Sequence, residues 1–299
     1  MLWLKFISHP SNQGRYLNED FMNHNLKKVA VASFLLAFSG LSIAGEKCSP
    51  ISKTCFEWPL IPDGTKLERM STNGVWSKPE GDGPFPAVLI AESCGGSKDT
   101  VNKFWPEYYN SLGYATYTPR LLEPMGQKRC PNFKWVIKHE NRAAMVKRLY
   151  SALDDLADKP YVDKNKISIA GYSLGAILIR DFLEIKDMNS PEGNQFNKAI
   201  MVYGNCTLMD RRGPDMPTIM IQAGKELNEK GKSYKRKVCD KVKNAGFSNF
   251  TYHELENAYH AWDDKQFQNI FRDIAGTEML YSEEETKKSQ EIIKAFLQQ

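Results

Sequence analysis

The stretch Ile167-Ser-Ile-Ala-Gly-Tyr-Ser-Leu-Gly-Ala176 decides the fold of this chain. Its apolar, β-type start leads into a G-x-S-x-G motif, and a helix-like run, Ala176 to Leu183, follows. A sharp turn from strand to helix requires nearly side-chain-free residues two positions either side of Ser173. Gly171 and Gly175 satisfy that requirement. We therefore expect Ser173 to stand exposed at the end of a strand as a nucleophile, and not as an ordinary turn serine.

The rest of the chain alternates between strand patterns and helix patterns. Continuous apolar runs are typical of parallel strands that are buried on both faces. The predicted strands are Pro86–Ala91, Tyr114–Tyr117, Ile167–Ala170, Lys198–Tyr203, Thr218–Gln222 and Phe250–Leu255. The predicted helices, besides the one after Ser173, are Val101–Leu112, Asn141–Ala157, Ser233–Ala245 and Glu283–Leu297. This alternation predicts one α/β domain with a mainly parallel sheet flanked by helices.

Two segments have weaker patterns. Lys66 to Trp76 is expected to supply one or two edge strands. Leu121 to Val136 contains several Pro and Gly residues and is predicted to be a long loop that shapes a site. Sites in such folds lie outside the carboxyl ends of the strands.

Composition places the chain among ordinary globular proteins. Of its 299 residues, 41% are hydrophobic and 25% are charged, which suits one large domain. The net charge is only +4, and no Lys/Arg stripe with interleaved aromatic residues occurs. Nucleic acid is therefore not an expected partner.

The N-terminal part predicts export. Residues 22–28 are basic, and residues 29–43 form an apolar run that is short for a bilayer. Small residues precede a cleavage site after Ala44, so 22–44 is a predicted signal peptide and 45–299 the mature domain. The polar residues 1–21 are interpreted as an extension upstream of the true start. We expect a periplasmic or secreted protein without a stable membrane anchor; the alternative is that the apolar run is retained as an anchor.

All six cysteines follow the predicted cleavage site: Cys48, Cys55, Cys94, Cys130, Cys206 and Cys239. An even number behind an export signal predicts disulfides, although the pattern alone does not choose among the pairings. A local bridge between the first two is one option that stays open. No C-x-x-C motif occurs and the cysteines are not clustered with His, so no metal site is expected.

A serine nucleophile needs a base, and hydrolases with this turn place Ser, acid and His in that order along the chain. That order excludes His139, and His253 falls within a predicted strand. His260 lies in the loop after that strand, where a general base can reach Ser173. The expected oxyanion donors are the N–H group of Leu174 and one in the loop after Pro86–Ala91, with Ser93 as the best candidate.

Several motifs in this order resemble the dienelactone hydrolase family, in its exported type with paired cysteines. The stretches that carry the resemblance are Phe85–Ile90, Cys94–Gly96, Leu112–Ala115, Tyr161–Ile167, Gly171–Gly175 and Ala258–Ala261. The resemblance covers about Gly83 to Leu297. It implies an α/β-hydrolase fold and hydrolysis of esters or lactones without a metal or an organic cofactor.

The same resemblance assigns roles to further residues. The family nucleophile is often Cys, and here the position holds Ser173. Glu92 falls where some members carry a Glu that contacts the resting nucleophile; the alternative is a loop carboxylate that hydrogen-bonds to backbone. The resemblance also implies two disulfides, Cys94–Cys130 and Cys206–Cys239.

The acid of the triad departs from the family pattern. The family places Asp three residues after the Gly that corresponds to Gly224, where this chain has Leu227. We favour Glu226, because a shift of one residue and its longer side chain restore the reach. Glu229 is the alternative in the same loop. Asp263 and Asp264 break the order Ser, acid, His, and a Ser–His pair without an acid also stays open.

These residues together predict an exported serine hydrolase that cleaves a small ester or lactone through an acyl-enzyme. A small-molecule substrate is the expected partner. Peptidases and thioesterases use the same triad and stay as alternatives. A non-catalytic binding protein on a hydrolase scaffold is the alternative from a different class, motivated by the irregular acid position.

Overall fold

The computed structural model describes residues 60–62, 64–185, 189–204, 206, 214–228, 233–272 and 276–299. The predicted upstream extension, the signal peptide, Cys48 and Cys55 lie outside these residues, as does Glu229. Within the described ranges, no helix is long and apolar enough to cross a membrane.

Seven strands form the main sheet, in the order β1-β3-β2-β4-β5-β6-β7. They are β1 (Gly74–Ser77), β2 (Phe85–Ala91), β3 (Ala115–Pro119), β4 (Val162–Tyr172), β5 (Lys198–Val202), β6 (Thr218–Ala223) and β7 (Phe250–Leu255). Only the edge pair β1–β3 is antiparallel, and the other pairs are parallel. The predicted, mainly parallel sheet is confirmed. A separate hairpin pairs β8 (Phe271–Arg272) with β9 (Glu278–Met279).

Helices cover both faces of the sheet. They are α1 (Trp105–Ser111), α2 (Phe133–Ile137), α3 (His139–Ala157), α4 (Leu174–Leu183), α5 (Gly224–Leu227), α6 (Ser233–Lys243) and α7 (Glu283–Leu297). One layer of the core packs side chains of α3 and α4 against the sheet, and the other packs side chains of α1 and α7. The α/β architecture predicted from the alternation, a mainly parallel sheet flanked by helices, is therefore present.

Strand β2 shows why its pattern is continuously apolar. Leu89 belongs to the layer under α3 and α4, whereas Val88 and Ile90 belong to the layer under α1 and α7. Successive side chains of a strand point to opposite faces, so a strand covered on both faces must be apolar at every position. All three side chains are fully buried.

The structure differs from the sequence prediction in the segment 121–136. This segment contains a short 3-10 turn, Glu123–Met125, and the start of α2, where a continuous loop was expected. The side chain of Asn132 caps α2 by accepting a hydrogen bond from the N–H of Trp135 at 2.9 Å. One or two edge strands were expected between Lys66 and Trp76. The structure has one, β1, which ends at Ser77.

The turn around Ser173 has the steric basis expected from the two glycines. A Cβ atom on Gly171 would lie 2.3 Å from the backbone of Gly175. A Cβ atom on Gly175 would lie 2.2 Å from the carbonyl oxygen of Ala91. Ser173 itself has φ 56 and ψ −109, an unusual conformation for a residue with a side chain. The backbone of β2 and that of the turn are thus in direct contact.

We expect Gly175→Ala to lower the free energy of unfolding by about 3 kcal/mol or more, because two backbone segments would have to separate. Denaturant unfolding followed by circular dichroism measures the change. Gly113→Ala is the matched control: its site has φ +87 but open space, so only the backbone conformation is penalised, by about 1–2 kcal/mol. Equal losses in the two variants would contradict this interpretation of the turn.

Candidate active site

Three segments at the carboxyl edge of the sheet bring the predicted Ser, acid and His together. Ser173 follows β4, Glu226 lies in α5 directly after β6, and His260 lies in the loop after β7. The parallel pairing from β4 through β5 and β6 to β7 places the carboxyl ends of these strands along one edge. Residues that are far apart in sequence therefore meet there.

The three side chains form one hydrogen-bonded chain. The Nε2 atom of His260 lies 2.9 Å from Oγ of Ser173, and Nδ1 lies 2.8 Å from a carboxylate oxygen of Glu226. An ionised carboxylate only accepts hydrogen bonds, so Nδ1 carries the proton and donates it to Glu226. In the neutral ring, Nε2 then accepts the hydroxyl proton of Ser173, which is the arrangement of a general base.

The other carboxylates considered from the sequence have other partners. Asp263 is fully buried and accepts hydrogen bonds from Nε1 of Trp105 at 2.6 Å and from the hydroxyl of Tyr203 at 2.8 Å. Asp264 accepts hydrogen bonds within its own loop. Among the described carboxylates considered as the acid, Glu226 is the one in contact with the imidazole of His260.

Lys235, in α6, completes the surroundings of Glu226. Its Nζ donates to the second carboxylate oxygen of Glu226 at 2.6 Å. Burial by itself would raise the pKa of Glu226, but the charges and hydrogen bonds of His260 and Lys235 lower that pKa to about 2. Glu226 is therefore ionised at neutral pH. No sequence motif marks Lys235, because the contact depends on how α6 packs beside α5.

Backbone strain is concentrated at this site. Within the described ranges, three non-glycine residues have positive φ: Ser173 at 56, Tyr203 at 40 and Ala261 at 53. Ser173 bears the hydroxyl, Tyr203 follows β5, and Ala261 follows His260. Such conformations cost about 1–3 kcal/mol each and persist only where the surrounding structure holds them. Their clustering indicates that the fold keeps this site in a fixed geometry.

Tyr203 is a site residue that the sequence analysis missed. Its ring centroid lies 4.8 Å from that of His260, and its hydroxyl donates to Asp263. Asp263 also accepts from Trp105, in α1, so the carboxylate fastens the loop of His260 to two other elements. Burial raises the pKa of Asp263 to about 6, although both hydrogen bonds oppose that rise.

The predicted oxyanion loop follows β2. Ser93 and Leu174 line the same cavity as Ser173. The carbonyl of Ser93 accepts from the N–H of Gly96 at 2.9 Å, and its Oγ accepts from the N–H of Gly95 at 3.2 Å. These two hydrogen bonds form a turn at the carboxyl end of β2. The N–H groups of Ser93 and Leu174 stay the candidate oxyanion donors.

Of the two roles considered for Glu92, the structure shows a loop carboxylate that hydrogen-bonds to backbone. Its Oε1 accepts hydrogen bonds from the N–H groups of Leu121 and Leu122, each at 2.7 Å, and the residue is 2% exposed. These bonds connect the end of β2 to the start of the segment 121–136. They correspond to the backbone-bonded alternative and not to a contact with Ser173. Burial raises the pKa of Glu92, and the two backbone hydrogen bonds oppose the rise.

Both disulfides implied by the family resemblance are present. Cys94 pairs with Cys130 and fixes the loop after β2, the candidate oxyanion loop, to the segment before α2. Cys206 pairs with Cys239 and connects the residues after β5 to α6, which carries Lys235. In the chain-entropy account, loops of these lengths stabilise the fold by about 3–4 kcal/mol each.

A cavity of about 1210 Å³ opens in front of Ser173. Its wall includes Ser93, Glu226 and His260 together with residues of α2, α6 and the β8–β9 hairpin. Sites for small molecules typically measure about 300–1,000 Å³, so this cavity is large. In the part of the chain that the structure describes, no group of three or more His, Cys, Asp or Glu side chains is arranged to hold a metal ion.

The model of the dienelactone hydrolase family matches residues 72–299, well over half of the chain. The chain belongs to the dienelactone hydrolase family. The family membership expected from the motifs is confirmed, and the match includes all three residues of the hydrogen-bonded chain.

Solved structures support the fold. A dienelactone hydrolase-like promiscuous phosphotriesterase from metagenomic libraries aligns with a TM-score of 0.55 at 15% identity, covering 77% of this chain and 98% of that one. A dienelactone hydrolase from Klebsiella pneumoniae aligns with a TM-score of 0.55 at 14% identity, with the same coverage. A thermophilic esterase from Thermogutta terrifontis aligns with a TM-score of 0.51 at 16% identity, covering 78% and 91%.

The curated relatives that match are much longer proteins than this chain. Probable dipeptidyl-aminopeptidases B of Trichophyton verrucosum and Arthroderma benhamiae are each 28% identical over 207 residues. The match covers 67% of this chain but only 20% of each fungal protein. The chain thus spans about a fifth of the length of these relatives.

We expect Glu226→Gln to lower kcat for p-nitrophenyl acetate by about 10³- to 10⁴-fold, because an amide can donate to Nδ1 of His260 and favour the wrong tautomer. Steady-state kinetics measure the loss, and thermal unfolding checks that the variant is folded. Asp264→Asn is the matched control, since it removes a nearby charge that does not touch His260. A fall in kcat with Asp264→Asn and none with Glu226→Gln would show that the acid is misassigned.

Proposed function

We propose that this chain is an exported serine hydrolase that cleaves a small-molecule ester or lactone through an acyl-enzyme. The observation that carries the proposal is the chain of contacts from Ser173 through His260 to Glu226 at the edge of a large cavity. Membership of a hydrolase family supports the same reaction class.

The proposed reaction begins when Oγ of Ser173 attacks the ester carbonyl and Nε2 of His260 takes the hydroxyl proton. The N–H groups of Leu174 and Ser93 hold the negative oxygen of the tetrahedral intermediate. His260 gives its proton to the leaving alkoxide, and an acyl-enzyme forms. A water, deprotonated by His260, then releases the acid and restores the Ser173 hydroxyl.

Glu226 stabilises the charge that appears on His260 during both steps. Its low pKa keeps it ionised while the imidazole accepts and returns the proton. Lys235 binds one carboxylate oxygen of Glu226, and His260 binds the other. Every proton in this scheme moves between substrate, water, Ser173 and His260, so the steps use no metal and no organic cofactor.

Export is the second part of the proposal. The predicted signal peptide, residues 22–44, motivates it, with the mature domain at 45–299. Disulfides persist in oxidising compartments, and the two in this structure are consistent with a periplasmic or secreted protein. Mass analysis of the mature protein should give an N-terminus at Gly45.

The alternatives concern substrate and catalysis. Peptidase activity is the alternative reaction, because this chain is similar to probable dipeptidyl-aminopeptidases and the same triad serves all acyl transfers. A non-catalytic binding protein was motivated by the irregular acid position. The contact of 2.8 Å between Glu226 and the imidazole of His260 supports the enzyme over this alternative.

We expect Ser173→Ala and His260→Ala each to reduce hydrolysis of p-nitrophenyl acetate by at least about 10³-fold without a large change in thermal unfolding. The double variant should be no slower than either single variant, because the two side chains act as one unit. Initial rates of purified, disulfide-bonded protein measure both effects.

A fluorophosphonate probe separates an enzyme from a binding protein. We expect it to label Ser173 in the wild type, as peptide mapping would show, and to leave His260→Ala largely unlabelled. Peptide substrates run beside the ester test the peptidase alternative. Folded wild-type protein that neither takes up the probe nor hydrolyses an ester would contradict the proposed function.

A further inference from the structure

Exposed apolar side chains gather at one place on this protein. In the described part of the chain, four large apolar side chains are about half exposed: Phe133 49%, Tyr234 48%, Ile270 54% and Phe271 53%. All four line the cavity that contains Ser173. Single exposed apolar residues are ordinary, but a cluster around one cavity marks a binding surface. We call these four residues the apolar rim.

The rim residues of the hairpin are connected to the general base. Phe271 lies in β8 and pairs with Met279 of β9, and Met279 forms an isolated bridge with His260. The N–H of His260 also donates to the carbonyl of Glu278 at 3.2 Å. Phe267 stacks on Phe271, with ring centroids 5.6 Å apart. This side of the rim therefore has a defined position relative to the imidazole.

The other rim residues are connected to the oxyanion loop and to the acid. Phe133 begins α2 just after Cys130, whose disulfide to Cys94 fixes the oxyanion loop. Tyr234 directly precedes Lys235, which binds the acid of the triad. Elements that are distant in sequence thus place apolar side chains around the cavity that contains Ser173, which favours a preorganised substrate surface.

The size of the cavity fits the same interpretation. An acetyl ester needs little of the roughly 1210 Å³ in front of Ser173. The rim would contribute nothing to such a substrate, whereas an extended hydrocarbon group would cover it. Each methylene group that becomes buried strengthens binding about fourfold.

We propose that the substrate is an ester with an extended apolar group, bound by the apolar rim while its carbonyl lies at Ser173. This inference rests on the proposed function and names its substrate class. Phe133, Tyr234, Ile270 and Phe271 are the specificity-determining residues. A longer apolar group, on the acyl or the alcohol side, gains binding because it removes their exposed surface from water.

Chain-length preference tests the inference. For the wild type we expect kcat/KM to be at least about tenfold higher with p-nitrophenyl octanoate than with p-nitrophenyl acetate, both below micelle-forming concentrations. Phe133→Ser and Phe271→Ser should each lower the octanoate-to-acetate ratio several-fold. Octyl acetate, assayed for acid release, shows whether the alcohol side has the same preference.

Phe247→Ser is the matched control. Phe247 is half-buried, packs against Phe250 and does not line the cavity, so its loss should leave the octanoate-to-acetate ratio unchanged. Wild-type protein that hydrolyses acetate as well as both longer esters would overturn the inference and leave the proposed function intact. A ratio that falls equally in Phe247→Ser and the rim variants would also overturn it.

A binding measurement keeps the two proposals separate. Ser173→Ala, titrated by calorimetry, should bind p-nitrophenyl octanoate more tightly than the acetate, and the added change Phe271→Ser should reduce that difference in affinity several-fold. If the wild type hydrolyses none of these esters, the proposed function fails, and this difference in affinity still supports the rim as an apolar binding surface. Equal affinities for the two esters would overturn the rim assignment.

Discussion

The contact between Gly175 and the carbonyl of Ala91 is the constraint on which the site depends. Strand β4 passes into α4 through a turn so tight that the end of β2 touches the turn backbone directly. Ser93, two residues beyond Ala91, lines the same cavity as Ser173. This packing contact lies in the turn that holds Ser173, whose φ of 56 is unusual for a residue with a side chain.

Glu226 and His260 are fixed by a second set of contacts around the ends of β5, β6 and β7. Tyr203 packs on the imidazole of His260, and Asp263 ties that loop to α1. Lys235 binds Glu226 from α6, and the Cys206–Cys239 disulfide connects α6 to the residues after β5. Tyr203, Asp263 and Lys235 all contribute to holding the imidazole of His260 between the hydroxyl of Ser173 and the carboxylate of Glu226.

Local sequence signals predicted most of the fold. Helix α7 and strand β7 have the predicted bounds, because period and end signals agree there. His260 and Glu226 followed from chain order and reach. Lys235, Tyr203 and Asp263 could not be predicted in their observed roles, since each depends on packing between elements that are far apart in sequence. Helix α2 was missed because a five-residue helix beside Pro131 has no readable period.

The most direct test of this account is the proton on Nδ1 of His260. Proton NMR of the folded protein with ¹⁵N-labelled histidine should show a far-downfield resonance from the hydrogen bond to Glu226. That resonance should vanish in His260→Ala and move strongly upfield in Glu226→Gln. A downfield resonance unchanged in Glu226→Gln, or none in folded wild-type protein across the neutral pH range, would contradict the hydrogen-bonded chain from Ser173 to Glu226.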